Sequence, residues 1–422
     1  MADCIETVVV GGGQAGLAAS YCLSQLGGEH VILERARLAE RWRSERWDSL
    51  AFQFPNWALS LPGYACRAAD PDGFAARDDV VRFLEEYAAY IKAPVRLAVT
   101  VTAVRHEGDD PYPFYVEADH GFWKARNVVL ATGAFQTPSI PDGSVFIPKQ
   151  IMQLHSCDYR NPRQLPPGAV LVVGGGTSGA EIAYELKKAG RQVYLSIGSY
   201  RKAPRRYRGR DIFWWIEELK FWDRPAQPSS PGRLEGVPLL SGLDGGFDID
   251  LRSLTDEGVK LLGRTRGVID GKLSFASDLE ENLVAGEVWF ARLQQMMNDH
   301  AEFTGMDLPE ELAPEKSRRR KPFVPITELD LRKAAIVCII WATGYRYAFN
   351  WVRLPAFKET GEPLQSRGIT RIPGLYFLGL RRMHTIKSAL LSASGVGADA
   401  AYIAHHIAAR NQVIQWQCAK TA

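Results

Sequence analysis

The sequence lacks paired cysteines. Its six cysteines are scattered along the chain, and none stands in a Cys-x-x-Cys pair. This spacing argues against a dithiol redox centre, a zinc site and a disulfide framework, so isolated buried or surface thiols are expected. The cysteines are Cys4, Cys22, Cys66, Cys157, Cys338 and Cys418.

Long apolar runs and a strong charge of one sign are also absent. No segment approaches the roughly 20 apolar residues that a bilayer span needs, and the apolar start Ile5–Val10 runs into glycines instead of a cleavage site. The net charge of +3 is too small to indicate a nucleic-acid or membrane partner. We therefore expect a cytoplasmic protein with a small-molecule substrate.

No Ser/His/Asp order, carboxylate pair or metal-ligand spacing stands out in the sequence. We therefore expect no metal. The chain itself is long, since its 422 residues are 46% hydrophobic and 23% charged. Such a chain predicts two or three domains.

A dinucleotide-binding βαβ unit begins near the N-terminus. An apolar strand precedes Gly11, a helix runs to about Leu26, and a second strand, His30–Leu33, leads to Glu34. Glycines of this pattern permit the tight turn, the close approach of the backbone to a pyrophosphate and the packing of helix on strand, while the acid accepts hydrogen bonds from ribose hydroxyls. The predicted contacts are Gly11, Gly13, Gln14, Ala15, Gly16, Glu34 and Arg35.

The same device recurs in the second third of the chain. A strand, Val170–Val173, leads into a second glycine-rich turn, a helix to about Lys188 and a strand, Gln192–Leu195. Our alignment puts Ser196 where Glu34 stands, and basic residues follow, which favours NADPH over NADH because guanidinium groups match phosphate. A solvated basic loop is the alternative. The predicted contacts are Gly174, Gly176, Thr177, Ser178, Gly179, Ser196, Arg201 and Arg205.

Three further segments complete the pattern. Apolar strands end in the sequence ATG at Gly133 and again at Gly344, and a third strand, Leu375–Leu378, ends at Gly379 before a helix rich in small residues around Ser388–Ile407. Together with the paired units, these segments resemble the flavoproteins that have two dinucleotide-binding domains. The resemblance implies an α/β fold of two Rossmann-like domains, with cofactor contacts also at Val101, Ala131, Thr132, Gly133, Gly344, Gly379 and Ser388.

In that family the second domain is inserted into the first. The resemblance therefore implies an FAD-binding domain made of residues 1–145 and 336–422, and an NADPH-binding domain at 146–335. The latter carries an aromatic-rich insertion at about 209–300, which we interpret as packing of the NADPH domain, with a lid or channel wall as the alternative. A homodimer is compatible with the resemblance, although no interface can be read from the residues.

The resemblance narrows to single-component flavin-containing and auxin-type monooxygenases. The run from Arg41 to Gly63 is similar to the stretch that those enzymes lay over the flavin, which implies that Trp42 packs on the cofactor and that Gln53 or Asn56 lies near flavin and nicotinamide. The stretch from Phe146 through His155 to Tyr159 resembles their FxGxxxHxxxY fingerprint. It departs from that fingerprint because Lys149 stands near the expected glycine and the spacing to His155 is longer.

The activity that the resemblance implies is oxygenation of a small organic substrate. FAD would be reduced by NADPH and would react with O2 through a flavin C4a-hydroperoxide. Gln53, Asn56 and His155 are the candidate catalytic residues, and a purely structural role for His155 is the alternative. Two other functions stay open: an NAD(P)H-dependent reductase or oxidase without oxygen transfer, and a non-catalytic flavin or nucleotide sensor.

Overall fold

The computed structural model describes residues 3–108, 110–225, 237–269, 272–310 and 323–421. Part of the turn-rich segment within the predicted insertion lies outside the described residues. The described chain forms two large sheets covered by helices and several smaller antiparallel sheets. The first large sheet is mixed, because antiparallel strands are added to its parallel centre, and the second is parallel. The predicted α/β class with two Rossmann-like domains is confirmed.

The first sheet has strands from both ends of the chain. Its centre is the strand Asp3–Val10, which pairs in parallel with His30–Leu33 on one side and with Gly121–Leu130 on the other. Val8 and Val9 are fully buried there, as a parallel strand with both faces covered requires. The strands in order are Gln365–Ser366, Ile369–Thr370, Leu375–Phe377, Gly121–Leu130, Asp3–Val10, His30–Leu33 and Val95–Arg96, with Val101–His106 and Phe114–Ala118 added beside Gly121–Leu130.

The second sheet is built from the chain between those two parts of the first. Its described strands all run parallel. They lie in the order Met152–His155, Ile336–Trp341, Ala169–Val173, Val193–Ser196 and Lys260–Leu262. A small antiparallel sheet contains Thr265–Ile269 and Lys272–Phe275, which follow the last of these strands, and Glu328–Asp330, which comes after the helix Leu279–Thr304.

The helices start and end at residues with clear local causes. The helix Arg77–Tyr90 has two acidic residues in its first turn, and the Asp79 carboxylate accepts a hydrogen bond from the backbone N–H of Ala76 at 3.2 Å. The helix Leu279–Thr304 ends at Gly305, whose φ of 66° is left-handed. The described helices are Gln14–Gln25, Glu40–Ser44, Arg77–Tyr90, Thr177–Lys188, Ile212–Glu218, Leu251–Asp256, Leu279–Thr304 and Ala398–Thr421.

The aromatic residues of the predicted insertion form a core of their own. Trp215 is fully buried, and Phe213 and Trp222 are nearly so, against Leu293 and Met297 of the long helix. Phe54 from the first domain also joins this cluster, with its ring 4.2 Å from that of Phe213. The insertion therefore packs against both domains.

Candidate functional site

In the first glycine-rich loop, Gly11 and Gly16 have no room for a side chain, whereas Gly13 between them has open space beside it. A Cβ atom on Gly11 would lie 2.6 Å from the carbonyl oxygen of Ala131, and one on Gly16 would lie 1.9 Å from that of Gly11. Gly11 also has a φ of +110°, which favours glycine. A Cβ on Gly13, by contrast, would meet nothing within 4 Å. Open space therefore faces the residue before the helix Gln14–Gln25, where unpaired N–H groups attract an anion.

Glu34 lies at the carboxyl end of the neighbouring strand, beside this loop. Its carboxylate accepts hydrogen bonds from the backbone N–H of Gly12 at 2.7 Å and of Ala36 at 3.0 Å. These bonds fix an acceptor near the glycine loop, where a ribose hydroxyl is bound in folds of this type. Arg35 follows it and is exposed.

The second loop repeats the first in detail. A Cβ on Gly174 would lie 2.3 Å from the carbonyl oxygen of Ala342, one on Gly179 would lie 1.9 Å from that of Gly174, and one on Gly176 would meet nothing within 4 Å. The helix then begins with Thr177 and Ser178. The structure therefore has two anion cradles of one design, on two different sheets.

The alignment of Ser196 with Glu34 is wrong by one residue. In the first sheet Val10 pairs with Leu33, and in the second sheet Val173 pairs with Ser196. Ser196 is thus the counterpart of Leu33: it is buried, and its hydroxyl donates to the carbonyl oxygen of Gly263 at 2.8 Å. Ile197 takes the place of Glu34, so the second loop still has no acid at that position.

The structure places the two predicted phosphate-binding arginines elsewhere. Arg205 is 4% exposed, pairs with Asp211 at 2.7 Å and donates to the carbonyl oxygen of Gln53 at 2.8 Å. The guanidinium of Arg201 lies 5.3 Å from the ring of Trp289. Neither lines the cavity beside the second glycine loop, because their chain segment turns away from it into the aromatic insertion.

The two ATG segments also correspond. The backbone N–H of Ala131 donates to Val10 at 2.9 Å, and that of Ala342 donates to Val173 at 2.8 Å. Gly133 and Gly344, with φ values of +77° and +84°, again have open space beside them. Thr132 accepts a hydrogen bond from the side chain of Gln136 at 3.0 Å. Beyond each ATG, Thr137–Pro138 pairs with Tyr345–Arg346, so the two crossings between the domains run side by side.

The chain after the strand Leu375–Phe377 packs against the start of the first glycine-rich loop's helix at Ala15. Gly379 has a φ of +73°, and a Cβ there would lie 2.6 Å from that of Ala15. The Gln14 side chain donates to the carbonyl oxygen of Ala389 at 2.9 Å. Ser388 is buried, and its hydroxyl accepts from the backbone N–H groups of His384 at 3.0 Å and Thr385 at 3.1 Å.

The last helix starts later than the sequence indicates. The structure begins it at Ala398, and the residues around Ser388 form a short 3-10 turn, Ile386–Ala389. Val101, also predicted as a cofactor contact, starts the strand Val101–His106 and is half-buried against the first core.

Gln53, Asn56 and Trp42 lie on the segment between the second strand of the first sheet and the helix Arg77–Tyr90. The Gln53 side chain donates to the carbonyl oxygen of Pro238 in the second domain at 2.8 Å. Asn56 is buried and donates to the carbonyl oxygen of Asp70 at 2.9 Å, while its Oδ1 has no hydrogen-bond partner in the structure. Trp42 contacts Phe52 edge to face, with 6.0 Å between the rings.

His155 lies at the junction of the two domains. Its Nδ1 accepts the backbone N–H of Cys157 at 3.2 Å, so the proton is on Nε2, which donates to the carbonyl oxygen of Gly344 at 2.9 Å. The imidazole is 1% exposed, and burial lowers its pKa from the usual value. The lowered pKa and the bond to Nδ1 favour the neutral imidazole, which holds the second ATG segment in place through Gly344.

Sequence reasoning missed a charged cluster close to an aromatic cavity. Lys387 is 2% exposed, and its ammonium lies 2.7 Å from Glu217 and 2.6 Å from Asp223. The adjoining cavity is narrow, about 20 Å³, and its wall joins residues of the first domain to those of the insertion. Its lining includes Phe52, Phe54, Trp57, Phe213, Glu217 and Trp222. The only signal in the sequence is a single lysine among small and apolar residues.

Other kinds of site are absent from the described part of the chain. It contains no cluster of His, Cys, Asp or Glu that would hold a metal ion. No helix among those residues has the length and apolarity to cross a membrane. The thiols of Cys4, Cys22, Cys66, Cys157 and Cys338 are free.

The fold and the paired loops define a protein with two dinucleotide-binding domains. The chain belongs to the pyridine nucleotide-disulphide oxidoreductase family, whose sequence profile matches residues 8–218. It is therefore an enzyme of the oxidoreductase class, as predicted.

Individual relatives and one solved structure are similar to the chain over most of its length. It is 33% identical to the "Uncharacterized oxidoreductase CzcO-like" of Geobacillus kaustophilus, over 96% of this chain and 99% of that protein. It is 26% identical to the "Indole-3-pyruvate monooxygenase YUCCA1" of Oryza sativa subsp. japonica, over 88% of this chain and 86% of that protein. The structure of the flavin-containing monooxygenase from Stenotrophomonas maltophilia is similar to that of this chain, with a TM-score of 0.65 and 22% sequence identity. The match covers 96% of this chain and 99% of that one. The resemblance to flavin-containing monooxygenases is confirmed.

Proposed function

We propose that this protein is an FAD-dependent monooxygenase that uses NADPH and O2 to oxygenate a small organic substrate. The observation that carries the proposal is the pair of equivalent anion cradles, at Gly13 and Gly176, on two sheets whose connecting segments run side by side. One cradle has an acid for ribose hydroxyls, Glu34, and the other has Ile197 at that place. This asymmetry supports FAD on the first and a phosphorylated nicotinamide coenzyme on the second.

The residues of both loops fit such coenzymes. In each case the backbone leaves open space where a pyrophosphate would approach, and the helix behind it supplies unpaired N–H groups. When bound, the flavin would take a hydride from NADPH and activate O2. The protein supplies binding, orientation and exclusion of water.

The Gln53 segment has the clearest orienting role. Arg205 holds its backbone through the Gln53 carbonyl oxygen, and Pro238 accepts from its side chain, so both bonds fasten this loop of the first domain to the second. Asp211 in turn fixes Arg205. A segment fastened at Gln53 through both its backbone and its side chain supports a constant relation between the two coenzymes, which hydride transfer requires.

His155 positions the turn at Gly344, after the second ATG segment. A neutral imidazole donates to Gly344 and thereby fixes the turn after the second ATG. Because Nδ1 already accepts the N–H of Cys157, this geometry does not favour a second proton. We therefore assign His155 a positioning role instead of proton transfer.

The aromatic wall between the domains supports an apolar or aromatic substrate. Phe54 and Phe213 stack across the domain boundary at 4.2 Å, and Trp222 packs on Phe213 at 5.6 Å. Aromatic rings bind organic molecules and exclude water from a reaction with oxygen. The cavity they line is too narrow for a substrate in this conformation, so binding requires movement of a ring or of the insertion.

The proposal is tested by balancing the consumed coenzyme against its products. Flavin-loaded protein is given NADPH and 18O2 with an aryl methyl sulfide, a tertiary amine or a cyclic ketone, and NADPH loss, hydrogen peroxide and labelled product are measured. Oxygenation predicts labelled product in proportion to NADPH for at least one of the three probes. Peroxide equal to NADPH with every probe would show an oxidase or reductase instead. Flavin binding without any loss of NADPH would show a sensor.

A further inference from the structure

We propose that Arg264 and Arg266, at the start of the hairpin after the second sheet, bind the adenosine 2′-phosphate of NADPH and set the preference for this coenzyme. The inference rests on the proposed function only in taking the second cradle as the nicotinamide-coenzyme site. It replaces Arg201 and Arg205, which the structure places outside that site.

The two arginines line a cavity of about 260 Å³. The cavity adjoins the second glycine loop at Gly174 and the end of the next strand at Ile197 and Gly198. This is the carboxyl edge of a parallel sheet, where ligands of doubly wound folds bind. Arg264 and Arg266 also line this cavity.

The charge of the cavity is the second observation. Its lining contains two arginines and no carboxylate. In the first domain the corresponding position is occupied by Glu34, which would repel a phosphate, whereas here it is Ile197. An acid next to the cavity, Asp278, lies 3.8 Å from the Arg264 side chain and accepts its backbone N–H at 3.0 Å. One carboxylate against two guanidinium groups leaves the site positively charged.

The position of Arg264 supports a contact with the ribose side of the nucleotide. A Cβ on Gly198 would lie 3.2 Å from Nη2 of Arg264, so the guanidinium rests on the backbone one residue beyond Ile197. This is the point at which a 2′-substituent would project in place of the ribose–acid contact of the first domain. Guanidinium groups suit it because their paired N–H groups match phosphate oxygens.

The remainder of the lining suits the adenine ring. Trp341, Val268 and Leu273 give an apolar floor, and the hairpin strand Thr265–Ile269 closes one side. An aromatic and aliphatic floor with charge at one end is the pattern expected for adenosine carrying an extra phosphate.

The test compares two nucleotides that differ in the 2′-phosphate alone. Adenosine 2′,5′-bisphosphate and adenosine 5′-monophosphate are titrated by calorimetry into the full-length, flavin-loaded protein and its Arg264→Ala, Arg266→Ala and Arg201→Ala variants. Loss of a charge-assisted hydrogen bond predicts that each of the first two variants weakens binding of the bisphosphate about tenfold or more. Binding of the monophosphate should stay the same. Arg201→Ala is the matched control and should change neither.

Several results would overturn the inference. An equal loss for both nucleotides in the Arg264 and Arg266 variants would show a general effect on the cavity, and a selective loss in Arg201→Ala would restore the arginine predicted from sequence. Arg264→Lys adds a second check, since it keeps the charge and should retain part of the selectivity. The measurement involves no hydride or oxygen transfer, so it stands or falls separately from the monooxygenase activity.

Discussion

The open position in each glycine loop allows cofactor binding to be removed without damage to the fold. An alanine at Gly13 would meet no protein atom within 4 Å, and its φ of −83° is ordinary for any residue. Its methyl group would instead occupy the space where the pyrophosphate approaches. Gly16→Ala is different, because the new Cβ would lie 1.9 Å from the Gly11 carbonyl oxygen and must disrupt the packing of helix on strand.

The expected energies separate the two variants. Alanine at the N-cap position of Gly13 costs about 1 kcal/mol of helix stability, whereas loss of a ligand present at a thousand times its Kd removes about 4 kcal/mol of stabilisation. Purified Gly13→Ala should therefore be colourless, and its Tm should lie within about 2–4 °C of that of wild-type protein stripped of flavin. Gly16→Ala should fall well below that reference.

Gly176→Ala provides the matched control. Because this position is equally open in the second loop, the variant should keep its flavin and lose nicotinamide-coenzyme binding. Absorbance near 450 nm relative to 280 nm and thermal denaturation are the assays. A yellow Gly13→Ala protein with normal flavin content would refute the reasoning, as would loss of flavin from Gly176→Ala.

Three further predictions concern buried charged or titratable groups. Burial lowers the pKa of His155. At a pH below about 6.5 the unfolded chain therefore binds a proton that the folded chain does not, and stability should fall as the pH drops. The urea midpoint of His155→Gln should fall less than that of the wild type between pH 7.5 and 5.5, and an equal fall in both proteins would contradict this. Burial raises the pKa of Glu181 to about 8, so between the ordinary carboxyl pKa and that value the folded chain keeps a proton that the unfolded chain releases, and stability falls as the pH rises across this range. Glu181→Gln should therefore gain stability relative to wild type on going from pH 5 to pH 8, and a constant difference in denaturation midpoint would rule this out. Lys387→Met leaves the carboxylates of Glu217 and Asp223 without their shared cation, and because both carboxylates are partly exposed it should lower the free energy of unfolding by about 1 kcal/mol; an unchanged urea midpoint would show that the cluster does not stabilise the domain contact.

Much of the fold could be predicted because the two βαβ units are local in sequence. The strand His30–Leu33 has the predicted bounds, and the first helix ends one residue before the predicted Leu26. Glycine spacing and apolar runs are local signals, and they suffice for the two cradles. The residue-level assignments around the flavin stay predictions.

The second strand of the second βαβ unit shows what local sequence signals could not predict. The predicted Gln192–Leu195 is Val193–Ser196 in the structure. A strand buried on both faces is apolar throughout and has no alternation to fix its register, so the error of one residue placed Ser196 where Ile197 lies. That register determines which residue meets the ribose.

Contacts between distant segments could not be read from the chain. Arg264 lines the same cavity as Gly174 of the second glycine loop because the strand Lys260–Leu262 joins the edge of the sheet next to Val193–Ser196. Arg201 and Arg205 are closer to that loop in sequence but turn into the insertion. Proximity in sequence favoured Arg201 and Arg205, but the chain leaves the edge of the sheet after Val193–Ser196 and returns to it only at Lys260–Leu262.

Anaerobic reduction of the flavin tests the central claim most directly. Flavin-loaded protein is mixed with NADPH in a stopped-flow instrument, and absorbance near 450 nm is followed for the wild type and for Gly176→Ala. Two coenzymes held on the two cradles predict complete bleaching in the wild type and none, or a rate that rises only at far higher NADPH, in the variant. Failure of the wild-type flavin to bleach, or equal dependence on NADPH in both proteins, would contradict the account.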